Sequence, residues 1–190
     1  MTRVGAIALE DYLQKVEAFH GHPAPGMVLG GFMVDLALKH LPPGEVYDAL
    51  SETPKCLPDA IQLLTPCTVG NGWLRVLNLG RYALVLYRKP GGEGVRVYVD
   101  PLKLDAWPEI KDWFFKLKPK AEQSLQSLNE QILEAGSTLC SFRTVTLDAD
   151  FIAVRRRGAF AVCSHCRESY PAADGPTCRA CQGQAPFRMS

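Results

Sequence analysis

Apolar residues recur at three- and four-residue spacing between positions 5 and 20, where Leu9, Tyr12, Leu13, Val16, Phe19 and His20 share one face. That spacing predicts a helix stopped by Gly21, with His20 on its apolar side. The stretch after Pro23 and Pro25 differs in kind. Residues 26–41 begin apolar nearly all round, which predicts a helix at the centre of the core or at a subunit contact. Gly26, Gly30 and Gly31 leave adjoining faces of it bare. Close packing against another element is the first expectation for them. An anion at the helix start, beside His22, is the second.

Residues 45–53 read as a strand and 58–64 as a short helix opened by Pro58. Gly70, Asn71 and Gly72 mark a turn. Three runs follow, 73–78, 82–88 and 95–99, rich in Val, Leu, Tyr and Trp and separated by Gly- and Pro-containing segments. They predict an antiparallel meander. Pro108 opens a helix carrying Ile110, Trp113, Phe114 and Leu117. Pro119 opens another, carrying Ala121, Leu125, Leu128 and Ile132 and closed by Gly136. Residues 143–151 alternate as a last strand. Strands between groups of helices, without regular βαβ alternation, predict an α+β fold, an antiparallel sheet packed with helices. The expected division is an α+β core domain over 1–155 and a small zinc-finger module over 156–190.

Composition narrows the function. A chain of 190 residues can bury one sizeable core beside a small module. Its 47% hydrophobic and 22% charged content is that of a folded protein. A net charge of +1 argues against nucleic acid or an anionic membrane as partner. The longest apolar run, 27–38, is broken by Asp35 and too short to span a bilayer. No early stretch joins a basic start to an apolar run and a cleavage site, so a cytoplasmic home is expected. Four of the seven cysteines form two C-x-x-C pairs, which in a reducing compartment read as metal ligands rather than disulfides.

Those pairs are Cys163 with Cys166 and Cys178 with Cys181, spaced C-x2-C-x11-C-x2-C. Two residues between the members of a pair let both sulfurs reach one tetrahedral ion. Four thiolates close the shell, so zinc here is structural. A module this short draws its folding energy from the metal. Arg155, Arg156 and Arg157 precede it. They can grip phosphates or simply mark a charged strand end, and no basic–aromatic interleaving accompanies them.

Two polar clusters stand in the apolar core sequence. One holds His20 and His22. The other holds Lys55, Cys56, Asp59 and Gln62 and continues into Thr65, Cys67 and Asn71. All lie beside Gly or Pro, at element ends, where side chains can converge on a ligand. His20 and His22, two apart in an extended segment, point the same way. Cys56 precedes a helix and follows Lys55, and both features favour its thiolate. Cys67 lies at the far end of a helix rising about 10 Å. The two thiols share a metal only if the chain after Leu64 folds back. Asp59 and Gln62 share a helix face. The plain alternative is a core in which each His and Cys is merely packed and hydrogen-bonded.

The pattern H-G-H-x-x-P-G-x-x-x-G from His20, C-x-x-D-A-I-Q from Cys56 and T-x-C-T-x-G-N from Thr65 resembles the FmdE component of formylmethanofuran dehydrogenase and its stand-alone, FmdE-like relatives. The resemblance runs over about 19–100, and the C-terminal cysteines look like that family's treble-clef finger. The family's Cys two residues after the second His is Ala24 here. The resemblance implies a metal-binding protein, an accessory to a molybdenum or tungsten enzyme that fixes carbon dioxide as formylmethanofuran, with the catalysis in other subunits. It implies a core site in which His20, His22, Cys56 and Cys67 hold a second divalent metal, zinc or similar. Cys56, His22 and Asp59 then act in catalysis, and Gln62, Thr65 and Asn71 contact substrate. The expected partners are a second copy in a homodimer and other subunits of a dehydrogenase complex. A second reading is a non-enzymatic protein- or nucleic-acid-interaction module built on the finger. A third is thiol chemistry at Cys56.

Overall fold

The computed structural model describes residues 3–42, 44, 46–153 and 158–187. They fall into two units, Met1–Ile152 and Ala153–Ser190. In the first unit, helix α1 spans Leu9–His20 and starts later than periodicity alone suggests. The cause is Gly5, whose φ of 60° turns the chain between two short antiparallel strands, β1 (Arg3–Val4) and β2 (Ile7–Ala8). Gly21, at φ 86°, ends α1 and donates to the Glu17 carbonyl, as a left-handed glycine does at a helix C-terminus. Tyr12 and Val16 are buried, whereas Phe19 is 55% exposed and stands off the core face.

Helix α2 (Pro25–Lys39) has proline in its first turn, where the missing N–H costs nothing. It is buried without interruption from Gly26 to Asp35. Its glycines serve packing. A Cβ on Gly31 would stand 2.5 Å from the Tyr12 ring, and one on Gly30 would stand 2.8 Å from the Ala60 Cβ. The one buried charge on α2, Asp35, accepts from the Gly5 N–H at 2.9 Å and from Lys39 at 2.6 Å.

The main sheet holds β3 (Tyr47–Ser51), β4 (Leu74–Val76), β5 (Ala83–Arg88), β6 (Glu93–Val99) and β7 (Cys140–Thr146), in the order β4-β3-β5-β6-β7. It is antiparallel except for β3 and β4, which run parallel. The expected meander is therefore wrong at its first link. Helix α3 (Leu57–Leu64) carries the chain from β3 back along the sheet, so β4 enters beside β3 in the same direction. After β4, the N–H groups of Leu77 and Leu79 still bond to the carbonyls of Ser51 and Glu52, and β5 pairs on the other side of β3.

Helix α5 (Leu125–Ala135) packs on α2, and helix α4 (Pro108–Phe115) packs on α5. Pro119 does not open α5. It precedes a single turn at Lys120–Glu122, and Ser124 caps α5 by accepting from the Ser127 N–H at 3.2 Å. The last strand ends at Thr146, and the short helix α6 (Ala149–Ile152) packs Ile152 on Leu50, Val85 and Tyr87, on the side of the sheet away from α2. In the second unit, β8 (Phe160–Val162) pairs antiparallel with β9 (Ser169–Pro171). Arg155, Arg156 and Arg157 lie outside the described residues.

Just beyond β3, Glu52 is 3% exposed and accepts from Arg96 through two nitrogens at 2.6 and 2.8 Å and from Arg81 at 2.7 Å. Burial opposes its ionisation, but the hydrogen bonds and charges of Arg96 and Arg81 outweigh burial and hold its pKa below the ordinary 4.5. The folded state thus binds this proton more weakly than the unfolded chain, so stability falls as pH drops below about 4.5. Glu52→Gln is expected to lose about 2 kcal/mol at neutral pH, and the gap to the parent should close on acidification in urea titrations at several pH values. A second expectation concerns packing. Gly31→Ala should destabilise by about 1–3 kcal/mol, seen as a thermal midpoint about 2–4 °C lower per kcal/mol. An unchanged midpoint would show that the Tyr12 ring moves aside freely.

Candidate functional site

The core site forms where β3 gives way to α3. Cys56 is the residue before α3 and has φ 45° and ψ −46°, and the Leu57 N–H bonds back to the Lys55 carbonyl. This is a γ-turn with positive φ, a strained conformation for a residue with a side chain. Such strain costs about 1–3 kcal/mol and gathers at functional sites. The location agrees with that inference. Cys56 follows the carboxyl end of β3, whose two neighbours are the parallel β4 and the antiparallel β5. In open parallel sheets, ligands commonly bind at such points of diverging connection.

His20, the last residue of α1, reaches this turn. Its Nδ1 lies 2.8 Å from Asp59 Oδ2, in the first turn of α3, and its Nε2 lies 3.9 Å from Cys56 Sγ. With Asp59 holding Nδ1, the ring turns Nε2 to the thiol. Gln62 donates to the other Asp59 oxygen at 3.4 Å, and its own oxygen accepts from the Val69 N–H. The resulting chain, Gln62–Asp59–His20–Cys56, orients each group from the one behind it. His22 is exposed, with its ring centroid 5.5 Å from that of His20.

Helix α2 closes the site from below. The Gly26 position has no room for a side chain, since a Cβ there would stand 3.0 Å from Cys56 Sγ and from the Tyr82 hydroxyl. Tyr82 donates to the Gly26 carbonyl at 2.6 Å and Tyr12 to the Met27 carbonyl at 2.7 Å, so two phenols pin the first turn of α2. Burial, followed by the nearby Cys56 thiol, raises the pKa of both phenols, so they stay protonated donors.

The Cys56 thiol departs from the expectation of a favoured thiolate. Burial pushes its pKa up, the Asp59 carboxylate adds to this, and Lys55 opposes them more weakly. Cys67 does not join the cluster. It is fully buried and donates to the Tyr47 carbonyl at 3.4 Å, and burial pushes its thiol up to about 11. Thr65 is also spent on the backbone, donating to the Ile61 carbonyl and accepting from the Cys67 N–H. Asn71 braces its own loop through Pro66, Thr68 and Trp73. Of the residues expected to contact substrate, Gln62 thus buttresses Asp59, while Thr65 and Asn71 shape backbone.

A cleft of about 750 Å³ opens beside Cys56, His22 and Ala24. Trp113, Leu117, Leu125 and Leu128 line its apolar part, and Lys116, Lys118 and Lys120 also line it. In the sequence this wall shows only as the alternation of Lys116, Leu117, Lys118, Pro119 and Lys120, which by itself reads as a solvated connection.

In the second unit, the Sγ atoms of Cys163, Cys166, Cys178 and Cys181 all lie within 4.8 Å of one another. Four bonds of about 2.3 Å at tetrahedral angles need sulfurs about 3.8 Å apart. The Cys166 and Cys178 sulfurs are 3.7 Å apart, so the four thiols fit zinc. The β8–β9 hairpin carries the first pair. There the Arg167 N–H bonds to the Cys163 carbonyl and the Cys163 N–H to the Glu168 carbonyl. His165 is exposed between its neighbours and takes no part. Among the described residues no such group forms in the core: no three of His20, His22, Cys56, Asp59 and Cys67 bring ligand atoms within 4.8 Å of one another.

Fold and sites together define an α+β protein with a Cys–His–Asp cluster at a strained strand-to-helix turn and a separate four-cysteine zinc finger. Residues 19–147 match the family model described as "FmdE, Molybdenum formylmethanofuran dehydrogenase operon", and 154–188 match "FmdE treble clef zinc finger". The chain belongs to the FmdE family. A crystal structure of a "tungsten formylmethanofuran dehydrogenase subunit e (fmde)-like protein" from Syntrophus aciditrophicus is 49% identical, covers 99% of this chain and 100% of that one, and superposes with a TM-score of 0.90. A curated protein of Archaeoglobus fulgidus, named "Probable S-adenosyl-L-methionine-binding protein", is 30% identical over 156 residues. That match takes in 75% of this chain but 43% of the relative, so the chain spans less than half of that protein's length.

The finger's dependence on metal can be measured directly. Treating the full chain with a strong chelator should release the finger's zinc and open 158–187 to protease first, leaving the first unit resistant. If the finger resists protease equally with and without zinc, the metal does not hold it together.

Proposed function

We propose that the first unit is a metal-dependent ligand-binding protein whose core site is built on Cys56 and His20, and that it serves as an accessory in formylmethanofuran metabolism. The observation that carries this reading is the position of His20, held at Nδ1 by Asp59 with Nε2 turned to Cys56 Sγ. A zinc-like ion bound through one sulfur and one imidazole nitrogen holds the two about 3.6 Å apart. The 3.9 Å found here is close to that. Asp59 supplies the carboxylate that commonly orients a metal-bound histidine. When bound, such a metal offers a Lewis acid with open positions.

Two residues set how tightly the core would hold metal. Ala24 replaces the family's cysteine and lines the cleft with Cys56 and His22. The pair Cys56 and His20 is thus short of a third protein ligand unless His22 turns inward. A homodimer, a cytoplasmic setting and docking to other dehydrogenase subunits belong to the same proposal. They rest on the family, and no helix among the described residues is long and apolar enough to cross a membrane. The name of the Archaeoglobus relative does not carry over. Three lysines and no carboxylate line the cleft, so no acidic side chain there offsets a sulfonium cation or takes up ribose hydroxyls.

A second reading rests on the strain at Cys56. A thiol on a tight strand-to-helix turn, an imidazole beside it and a carboxylate behind form the order of nucleophile, base and orienting group. Metal counts separate the two readings. Elemental analysis of protein purified without a metal-affinity tag should find two metals per chain in the parent, one in His20→Ala and in Cys56→Ala, and a more firmly held second metal in Ala24→Cys. One metal in the parent and in both alanine variants would end the metal reading and leave the thiol reading in front.

A further inference from the structure

The charged side chains that line the cleft beside Cys56 are all of one sign. Lys116, Lys118 and Lys120 line it, together with the titratable His22, and no Asp or Glu does. Lys118 is engaged by Asp112 at 2.5 Å. Among the described residues, neither Lys116 nor Lys120 has an ion-pair partner. A protein of net charge +1 has acids enough to pair such lysines, so two unpaired ammonium groups on one wall leave a local positive field. Low-dielectric walls focus that field into the cleft.

The other lining is apolar. Leu128 is 2% exposed and forms part of the core, whereas Leu117 and Leu125 are 59% and 55% exposed. Trp113 lines the cleft beside them. A volume of about 750 Å³ lies within the usual range for small-molecule sites and exceeds what a bare inorganic anion needs. An apolar body with one anionic group satisfies both kinds of wall at once. The apolar part removes Leu125 and Trp113 from water, and the anion pairs with Lys116 and Lys120.

We infer that the cleft binds an amphipathic organic anion, whose apolar body lies on Trp113, Leu125 and Leu128 and whose negative group meets Lys116 and Lys120, with one end delivered to Cys56. The inference deepens the proposed function, since it rests on Cys56 marking the working end. It stands apart from the metal in one way: neither lysine belongs to the core ligand pair. Carboxylate, sulfonate and phosphate share the required chemistry.

The test uses the full chain and two dyes of nearly the same shape. One is 8-anilinonaphthalene-1-sulfonate, which is anionic; the other is N-phenyl-1-naphthylamine, its neutral counterpart. The anionic dye is expected to bind with one site per chain, to weaken with added salt and to slow alkylation of Cys56 by N-ethylmaleimide, read by mass spectrometry. In Lys116→Gln/Lys120→Gln its affinity should fall about tenfold, while the neutral dye binds as before. Lys116→Arg/Lys120→Arg should retain the parent's affinity, which separates charge from packing. Equal binding of the two dyes, an unaffected glutamine pair, or binding that leaves Cys56 unprotected would overturn the inference. Metal content measured on the same samples keeps the two ideas separate. If His20→Ala and Cys56→Ala keep the parent's metal count while the dyes still depend on the lysines, only the metal reading falls. If the metal follows expectation and the dyes do not, only the ligand class falls.

Discussion

The burial of α2 is the constraint on which the rest of the first unit depends. A helix enclosed from Gly26 to Asp35 must find partners on every side. It finds the sheet, α1, α3 and α5, and its glycines set how near they come. Gly30 lets Ala60 of α3 approach, Gly31 accepts the Tyr12 ring of α1, and Gly26 leaves space for Cys56. The elements that carry His20, Cys56 and Asp59 are therefore placed by one helix that carries none of them. Interiors are packed as closely as crystals and pass on small changes in volume, so the site inherits the precision of that packing.

The site combines groups that are each costly alone. Cys56 is strained, its thiol is half-buried beside the Asp59 carboxylate, and His20 is tied at one nitrogen. Nothing in the sheet requires a positive φ at the start of α3. The strain aims the sulfur at His20 and at the cleft, which is what a ligand or a nucleophile needs. The finger follows the opposite logic. Its four thiols are placed to close the shell of one ion, which would leave no position for a substrate. One chain thus joins a four-thiol cluster suited to holding a fold with a Cys–His pair beside a cleft.

Local chemistry made much of this legible from the residues alone. Prolines at helix starts and glycines at helix ends located α2, α3 and the close of α5, because those residues fix φ or permit it to be positive. The C-x-x-C pairs declared the finger, since two intervening residues suffice to bring both sulfurs to one ion. The family was legible too, because its polar motifs are long and sit at element ends. Where expectations failed, a distant element had the deciding vote. The 5–20 periodicity ran through Gly5, which the β1–β2 turn claims. The meander broke because α3 returns the chain parallel to β3.

The sequence by itself determined which residues could do chemistry: two histidines, two core cysteines, an aspartate and a set of zinc thiolates. Tertiary structure alone decided which of them meet. Cys67 was separated from Cys56 by the length of α3 and turned to a strand carbonyl, while His20 crossed from another helix to stand between Asp59 and Cys56. The cleft wall of lysines lies far along the chain from Cys56 and lines the same cleft only because α5 packs on α2 and α4 on α5. Residue type and local spacing fix a side chain's repertoire over a few residues. Its partners depend on contacts between positions distant in sequence, and those exist only once α2 is buried.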